Sequence, residues 1–380
     1  MKYLCANPPK QRHLKMLMNA KVALINNNPL NSGVGRYAYS LYKALSRLID
    51  VEFISWEKEL FNEAFNHLRI LNVNWLYYMF KLRLVAKKLD CSDSLVHVTN
   101  SGYLASIIPA IKQKSNTIVV TVHDLIPFLL PRSIRDVLLR KAFTYVPQAS
   151  KIIVTSESTK NDFLHLVDID PKKLKLIYHG VDHDLFKPRD KLEARRRLRL
   201  PLDKPIILNV GSEEPRKNIP TLLKSFKRLL SDVPNALLIR VGEGTPRIEM
   251  FIRRLELNGK VLYRKASPNE DALYYNVADL LVHPAYYEGF GNPPLEAMSS
   301  GLPVIAGNRT SIPEVIGDAG ILLNPFDVEG FAYWMREVLT NEDLRAKLSE
   351  AGYKRSLSFS WEKCARETLE VYREVLAEWP

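Results

Sequence analysis

Two glutamates, Glu288 and Glu296, stand eight positions apart in the segment LVHPAYYEGFGNPPLEAM, residues 281–298. A stretch rich in glycine and proline separates them, and the apolar run before it ends at His283 and Pro284. An apolar strand, a Gly-rich turn and a proline-started helix together receive an anion well. The helix N-terminus offers unpaired N–H groups and a partial positive charge. Pro293 or Pro294 is expected to open the helix, because proline has no N–H to lose there. Glu288 then falls in the loop at the strand end and Glu296 about one turn into the helix, both facing one crevice.

A second group lies upstream in NVGSEEPRKNIPTLLKSF. After an apolar run come Gly211 and Ser212, then Arg216 and Lys217 just before a helix expected near Ile219 and Pro220. A guanidinium fork matches phosphate oxygens and a lysine adds a compact charge, so the pair reads as a diphosphate clamp. PRKN alone would pass for a solvated loop; its occurrence in the same half as the glutamate segment favours the clamp. The glutamates themselves make a poor hydrolase pair, which needs carboxyls about 5–9.5 Å apart across one bond. No convincing D-x-D motif appears, and the histidines of HPAY and HDLIP lack partners at zinc spacing. No metal is therefore expected.

These residues must be carried by a framework, and 380 residues exceed one ordinary core. Apolar runs alternate with helical periodicity, which predicts α/β architecture with parallel sheets. Candidate strands in the first half are 21–27, 51–55, 95–100, 117–124, 151–156 and 175–180. A second set follows at 205–211, 236–242, 260–266, 279–284, 303–307 and 320–324. Helices are expected at 35–48 and 71–89, and 361–376 has a strong amphipathic pattern. Charged, proline-bracketed residues 187–200 read as a connection between two doubly wound units, 1–188 and 189–360. Ligands of such sheets bind outside the carboxyl ends of the strands, and with two domains that means a cleft.

The composition is that of a globular chain, 46% hydrophobic and 25% charged. No uninterrupted apolar run approaches the roughly 18 residues that span a bilayer, and the N-terminus lacks a signal-peptide core. Cys5, Cys91 and Cys364 fit no metal or redox spacing, so a reducing cytoplasm is the default. Residues 1–200 hold 32 Lys and Arg against 17 Asp and Glu, leaving 22 against 25 for the rest. That basic half suits an anionic partner, yet no helix-turn-helix, finger or aromatic RNA-binding signature accompanies it, so nucleic acid is not expected. The aromatic, basic stretch WLYYMFKLRLVAKKLD, 75–90, suits a helix lying on an anionic bilayer. An ordinary amphipathic helix with a solvated basic face explains it as well.

EGFGNPPLEAM and the following SSGLPVIAGNRTSIPEVIGDAGILLNPFD resemble the donor-site signature of the family 4 (group 1) retaining glycosyltransferases. NSGVGRYAYSL is similar to that family's N-terminal glycine loop, VHDLIPFLLP to its histidine-aspartate segment and VGSEEPRKNIPTLLKSF to its phosphate-clamp turn. VTSESTKNDF and LIYHGVDHDLFKP resemble the approach to the linker, and FSWEKCARETLEVYREVL a closing helix, 361–380, that crosses back to the first domain. The resemblance implies the GT-B fold, two Rossmann-like domains facing across a cleft that closes over the donor.

It also implies roles. Arg216 and Lys217 would bind the donor diphosphate, and Glu296 the ribose hydroxyls. Glu288 would contact the sugar near the reacting carbon, with the N–H groups of Phe290, Gly291 and Asn292 completing the pocket. Gly211 belongs to the clamp turn. Gly33 and Gly35 would let the first loop approach the diphosphate, and His123 would reach the sugar or acceptor. Asn292 departs from the family, where an apolar residue is common. The implied reaction moves a hexose, of mannose or glucose type, from a GDP- or UDP-linked donor to a glycan or lipid-linked acceptor with retention. No cofactor beyond the nucleotide sugar is implied, and the site of action is cytoplasmic or on the inner face of the membrane.

Duller readings stand beside these. His123 would serve as a strand-end histidine, Asp124 as a loop-former, Glu296 as a helix cap and His97 as strand core. Ser311, Ile312 and Glu314 either line the donor pocket or simply form a turn. Within GT-B proteins, a phosphorylase or a sucrose/trehalose-type synthase is the alternative. A non-catalytic sugar-nucleotide binding module is more distant. So is a dinucleotide oxidoreductase, suggested by the G-x-G-x-x-A match from Gly33 to Ala38. The dinucleotide turn follows its strand at once, whereas residues 27–32 intervene here.

Overall fold

The computed structural model describes residues 21–26, 28–30, 32–55, 94–104, 117–130, 134–265 and 268–378. They fall into two compact units, 1–178 with 361–380, and 179–360. The helix expected at 71–89 and the basic segment 75–90 lie outside the described residues. Among those described, no helix is long and apolar enough to cross a membrane.

The first unit holds a parallel sheet of β1 (Lys21–Asn26), β2 (Val51–Ser55), β3 (Ser94–Val98), β4 (Ile118–Val122), β5 (Lys151–Val154) and β6 (Leu174–Leu176) in the order β2-β1-β3-β4-β5-β6. Every residue of β3 and β4 is buried, as a parallel sheet covered on both faces requires. Helix Gly33–Leu45 starts at Ser32, whose side chain accepts from the Gly35 N–H, and buries the stripe Tyr37, Leu41, Ala44 and Leu45. Helix Trp361–Ala377 adds Cys364, Leu369, Tyr372 and Val375 to that same core. His97, read above as strand core, is fully buried in β3. Its Nδ1 lies 2.7 Å from the Tyr372 hydroxyl and its Nε2 2.8 Å from Thr121 Oγ1.

The second unit holds β7 (Ile206–Val210), β8 (Leu237–Val241), β9 (Val261–Arg264), β10 (Leu280–His283), β11 (Val304–Gly307) and β12 (Ile321–Leu323). Their order is β12-β11-β10-β7-β8-β9, all parallel. The chain winds outward from β7 through β8 to β9, then returns to β10 on the other side. The order therefore reverses between β7 and β10, and in such sheets ligands bind at the carboxyl ends of the strands flanking the reversal. Each expected strand is present, with ends that differ by at most a few residues.

Residues 187–200 differ from the expectation of a plain connection: Lys191–Arg197 is a helix, N-capped by Asp190. Its Arg195 is buried, donates to the carbonyls of Val277, Leu202 and Lys204, and pairs with Asp279 at 2.9 Å. Asp279 also accepts the Ile206 N–H, so one carboxylate ties this helix to the starts of β7 and β10. The charge that made the stretch look like a linker is the means of docking it.

Burial pushes the His97 imidazole down to about 3 and that of His123 to about 4. Unfolded histidine titrates near about 6.5. Between that value and the folded ones, the unfolded chain binds protons the folded chain refuses, so stability is full above about pH 6.5 and falls as pH drops. Calorimetry should show a melting temperature flat from pH 7 to 8 and declining from pH 6.5 to 4. His97→Gln, though less stable at neutral pH, should decline less steeply; a slope equal to the wild type's would contradict this.

Candidate functional site

The turn after β7 carries the two cations. Gly211 has φ +132°, a conformation that favours glycine, and a Cβ there would be in contact with the end of the Lys217 side chain at 3.6 Å. A single 3-10 turn, Pro215–Lys217, leads to Asn218 in the left-handed conformation, φ 54°. Asparagine tolerates that conformation better than most residues. Its Nδ2 donates to the Pro325 carbonyl at 2.6 Å, and helix Ile219–Leu229 follows with Pro220 in its first turn. Sequence reasoning gave Asn218 no role; the third letter of the RKN triplet is the hinge that aims the other two.

The turn after β10 carries the acid. The Tyr286 N–H donates to the Arg216 carbonyl at 2.9 Å, joining the two turns on either side of the reversal point. Glu288 is 7% exposed. Its Oε1 accepts from Lys217 Nζ at 2.5 Å and lies 3.0 Å from His283 Nε2, and its Oε2 accepts from Arg216 Nη1 at 2.9 Å. Arg216 Nη1 also reaches the Tyr287 carbonyl, and Arg216 Nε the exposed Glu214. The backbone of Glu288 is held by Thr310 Oγ1, which accepts its N–H at 3.0 Å, and by Ser311 Oγ, which donates to its carbonyl at 2.9 Å. Ser311, uncertain in the sequence, thus supports this loop.

Burial pushes the Glu288 carboxyl up, but Lys217, the His283 bond and Arg216 together outweigh it and hold it well below the usual carboxylate range. Burial lowers Lys217 and His283, with Glu288 opposing in both cases. The set is therefore two cations, one carboxylate and a neutral imidazole donating to it, an arrangement with net positive charge. Among the described residues, no three His, Cys, Asp or Glu side chains gather as a metal-binding group.

Downstream, Gly291 at φ +110° N-caps helix Asn292–Ser299; a Cβ there would meet Ile312 Cδ1 at 2.8 Å. Asn292 occupies the first helical position and Pro293 the second. Asn292 Oδ1 is 3.1 Å from His179 Nδ1, and Phe290 lies against the His179 ring at 4.5 Å between centroids. His179 was not singled out in the sequence. Glu296 is beyond the first turn of the helix, so it does not serve as an N-cap. It is 8% exposed and accepts from the Tyr275 hydroxyl at 2.5 Å. Nothing in the sequence signalled that tyrosine. His283 was weighed only as a metal ligand, although its spacing of five from Glu288 places both at one strand end.

The remaining candidates, Gly33, Gly35 and His123, belong to the first unit. A Cβ on Gly35 would meet the Pro29 carbonyl oxygen at 1.9 Å, so this glycine is required by the fold of its own loop. The space beside Gly33 is open. His123 follows β4, with Nε2 2.9 Å from the Thr99 carbonyl and its ring edge-on to Tyr37 at 4.7 Å. Its pKa near 4 makes it neutral at physiological pH, with Nε2 the protonated nitrogen that donates to that carbonyl. Asp124 accepts the Ile126 N–H and shapes the loop, as read above.

Residues 31–185 match the family described as Glycosyltransferase Family 4, and residues 190–355 the one described as Glycosyl transferases group 1. The chain is 28% identical over 374 residues to an O-antigen chain mannosyltransferase B of Escherichia coli, covering 90% of this chain and 96% of that one. It is 29% identical over 253 residues to a D-inositol 3-phosphate glycosyltransferase of Nocardioides sp., covering 61% of this chain and 55% of that relative. Among solved structures, a sucrose-phosphate synthase of Thermosynechococcus elongatus superposes with TM-score 0.79 at 24% identity, over 94% of this chain and 100% of that one. Anabaena HepE, solved with UDP and glucose, superposes with TM-score 0.74 at 18% identity, over 93% and 99%. At these identities the superpositions show a common fold.

Glu288→Ala would leave two largely buried cations without their counter-charge. A loss of about 3–5 kcal/mol is expected, partly recovered on adding inorganic pyrophosphate, which can take the vacated place between Arg216 and Lys217. Calorimetry with and without pyrophosphate tests this; an unchanged melting temperature in the variant contradicts the pairing.

Proposed function

Since the chain belongs to the group 1, family 4 retaining glycosyltransferases of the GT-B fold, we propose that it moves a hexose from a GDP- or UDP-linked donor onto a glycan or lipid-linked acceptor. The hexose is of mannose or glucose type. The observation carrying this reading is the meeting of Arg216, Lys217 and Glu288 at the strand-order reversal of the second sheet. The E. coli relative named an O-antigen chain mannosyltransferase, matched over nearly its full length, supports a glycan acceptor and a mannose-type sugar.

Cleaving the bond between sugar and nucleotide leaves negative charge on the departing diphosphate. Arg216 and Lys217, fixed in a poorly hydrated turn, stabilise that charge with little reorganisation. Without donor, Glu288 neutralises both cations; the donor's phosphates then compete for them. Glu288, whose carboxylate is already of low basicity, holds the sugar rather than attacking it. Retention then follows from acceptor attack on the leaving-group face. Glu296, oriented by Tyr275, takes the ribose hydroxyls. The N–H groups of Phe290, Gly291 and Asn292 receive the sugar end, and Gly33 and Gly211 leave room for phosphate. His123, being neutral, acts on sugar or acceptor as a hydrogen-bonding group and not as a cation.

Arg216→Ala and Lys217→Ala are each expected to cost roughly 2.7–4 kcal/mol of transition-state stabilisation, seen in kcat/KM with radiolabelled donor sugars. Near-normal turnover in both refutes the clamp. In a thermal-shift screen, GDP or UDP sugars should raise the melting temperature by several degrees and ADP sugars should not; the reverse would contradict the donor class.

A further inference from the structure

Arg240 lies on β8, next to the edge strand β9 of the second sheet, and is fully buried. Its Nη1 donates to Asn209 Oδ1, and its Nη2 lies 3.4 Å from the Gly211 carbonyl and 3.8 Å from Glu213 Oε1. Its Nε is buried with no hydrogen-bond partner among the described residues. Its guanidinium sits 5.7 Å from the centre of the Tyr263 ring. Glu213, with its side chain 1% exposed, accepts from the Tyr263 hydroxyl and, at 2.6 Å, from the Thr245 N–H. None of these groups has a part in the chemistry set out above.

Their position gives them one. Glu213 lies in the same turn as Arg216 and Lys217, while Ser212, Glu214 and Pro215 beside it are exposed. A carboxylate in an anion-binding turn works against the ligand unless its charge is taken up elsewhere. Arg240 and Tyr263 take it up, fastening the turn to β8 and to the end of β9. The attachment continues through Asn209, whose Nδ2 donates to the Val282 carbonyl of β10 at 2.7 Å. The Gly211 N–H bonds the Val241 carbonyl, and Gly242 is close enough that a Cβ would meet the Gly211 oxygen at 2.4 Å. A buried ion pair with an orphaned N–H adds little stability over apolar packing, so its use here is geometric.

We propose that Glu213, Arg240 and Tyr263 form a latch that sets the shape of the turn 211–217 and so presents Arg216 and Lys217 to a diphosphate. These are positioning residues, and the inference rests on the clamp reading above.

Isothermal titration of GDP, UDP, GMP and UMP into wild type, Tyr263→Phe, Glu213→Gln and Lys217→Ala tests it, with melting curves as a check on folding. Tyr263→Phe removes one hydroxyl and should fold. For whichever diphosphate binds, both latch variants should weaken affinity about tenfold, the size of one hydrogen bond to a charged group. Affinity for the matching monophosphate should stay within about twofold. In a Lys217→Ala background the latch substitutions should have a smaller further effect on the diphosphate, the part that acts through Arg216. Equal losses for diphosphate and monophosphate, or losses that add in full to that of Lys217→Ala, mean a merely structural role and overturn the latch. A normal Lys217→Ala loss beside unaffected latch variants overturns the latch alone. Unchanged diphosphate affinity in Lys217→Ala overturns the clamp, and the latch with it.

Discussion

Two cations side by side in a poorly solvated turn repel one another and lose hydration, and the site depends on a single carboxylate to make that tolerable. Glu288 supplies it, with one oxygen shared by Lys217 and His283 and the other given to Arg216. The constraint propagates outward. Glu288 must come from the strand next to the one that carries the cations, so β10 must return beside β7. Its backbone must be fixed, which Thr310 and Ser311 accomplish from the turn after β11. The cation turn must itself be held, which falls to Asn218 on one side and the Glu213 cluster on the other.

A pair of this kind is also what an incoming anion would have to displace. Phosphate oxygens carry the charge that Glu288 carries and can present more acceptors, so in the proposed reaction a diphosphate would replace an internal ligand rather than enter an unprepared space. The exchange keeps the cations compensated throughout, in a region where an uncompensated charge is costly. In the first unit, electrostatics runs the other way: His97 and His123 are kept neutral by burial and bond to hydroxyl or carbonyl oxygen.

Much of this was legible in the sequence for definite reasons. Strands of a parallel sheet covered on both faces are continuous apolar runs, so each of them could be located. Arg216, Lys217 and both glutamates could be singled out because they sit at strand-to-helix turns that local residue types announce. Strand order is another matter. That β7 and β10 are neighbours follows from long-range packing, and with it the contact of Glu288 with Arg216 and Lys217; the contact with His283, five residues earlier, is local. Tyr275 beneath Glu296 and His179 against Asn292 and Phe290 depend on the same packing. Residues 187–200 read only as a connection, because the buried partner of Arg195, Asp279, lies far along the chain. Gly35 suggested room for a ligand where the Pro29 carbonyl already occupies it.

The chain belongs to a family of glycosyltransferases, and the proposal at the centre is that Arg216 and Lys217, at the carboxyl ends of β7 and β10, receive the donor's diphosphate. A crystal structure of the protein soaked with GDP or UDP tests it most directly. The β-phosphate is expected within hydrogen-bonding distance of Arg216 and Lys217, with Lys217 drawn off Glu288. A nucleotide bound with its phosphates elsewhere and the Lys217 to Glu288 pair intact would contradict it.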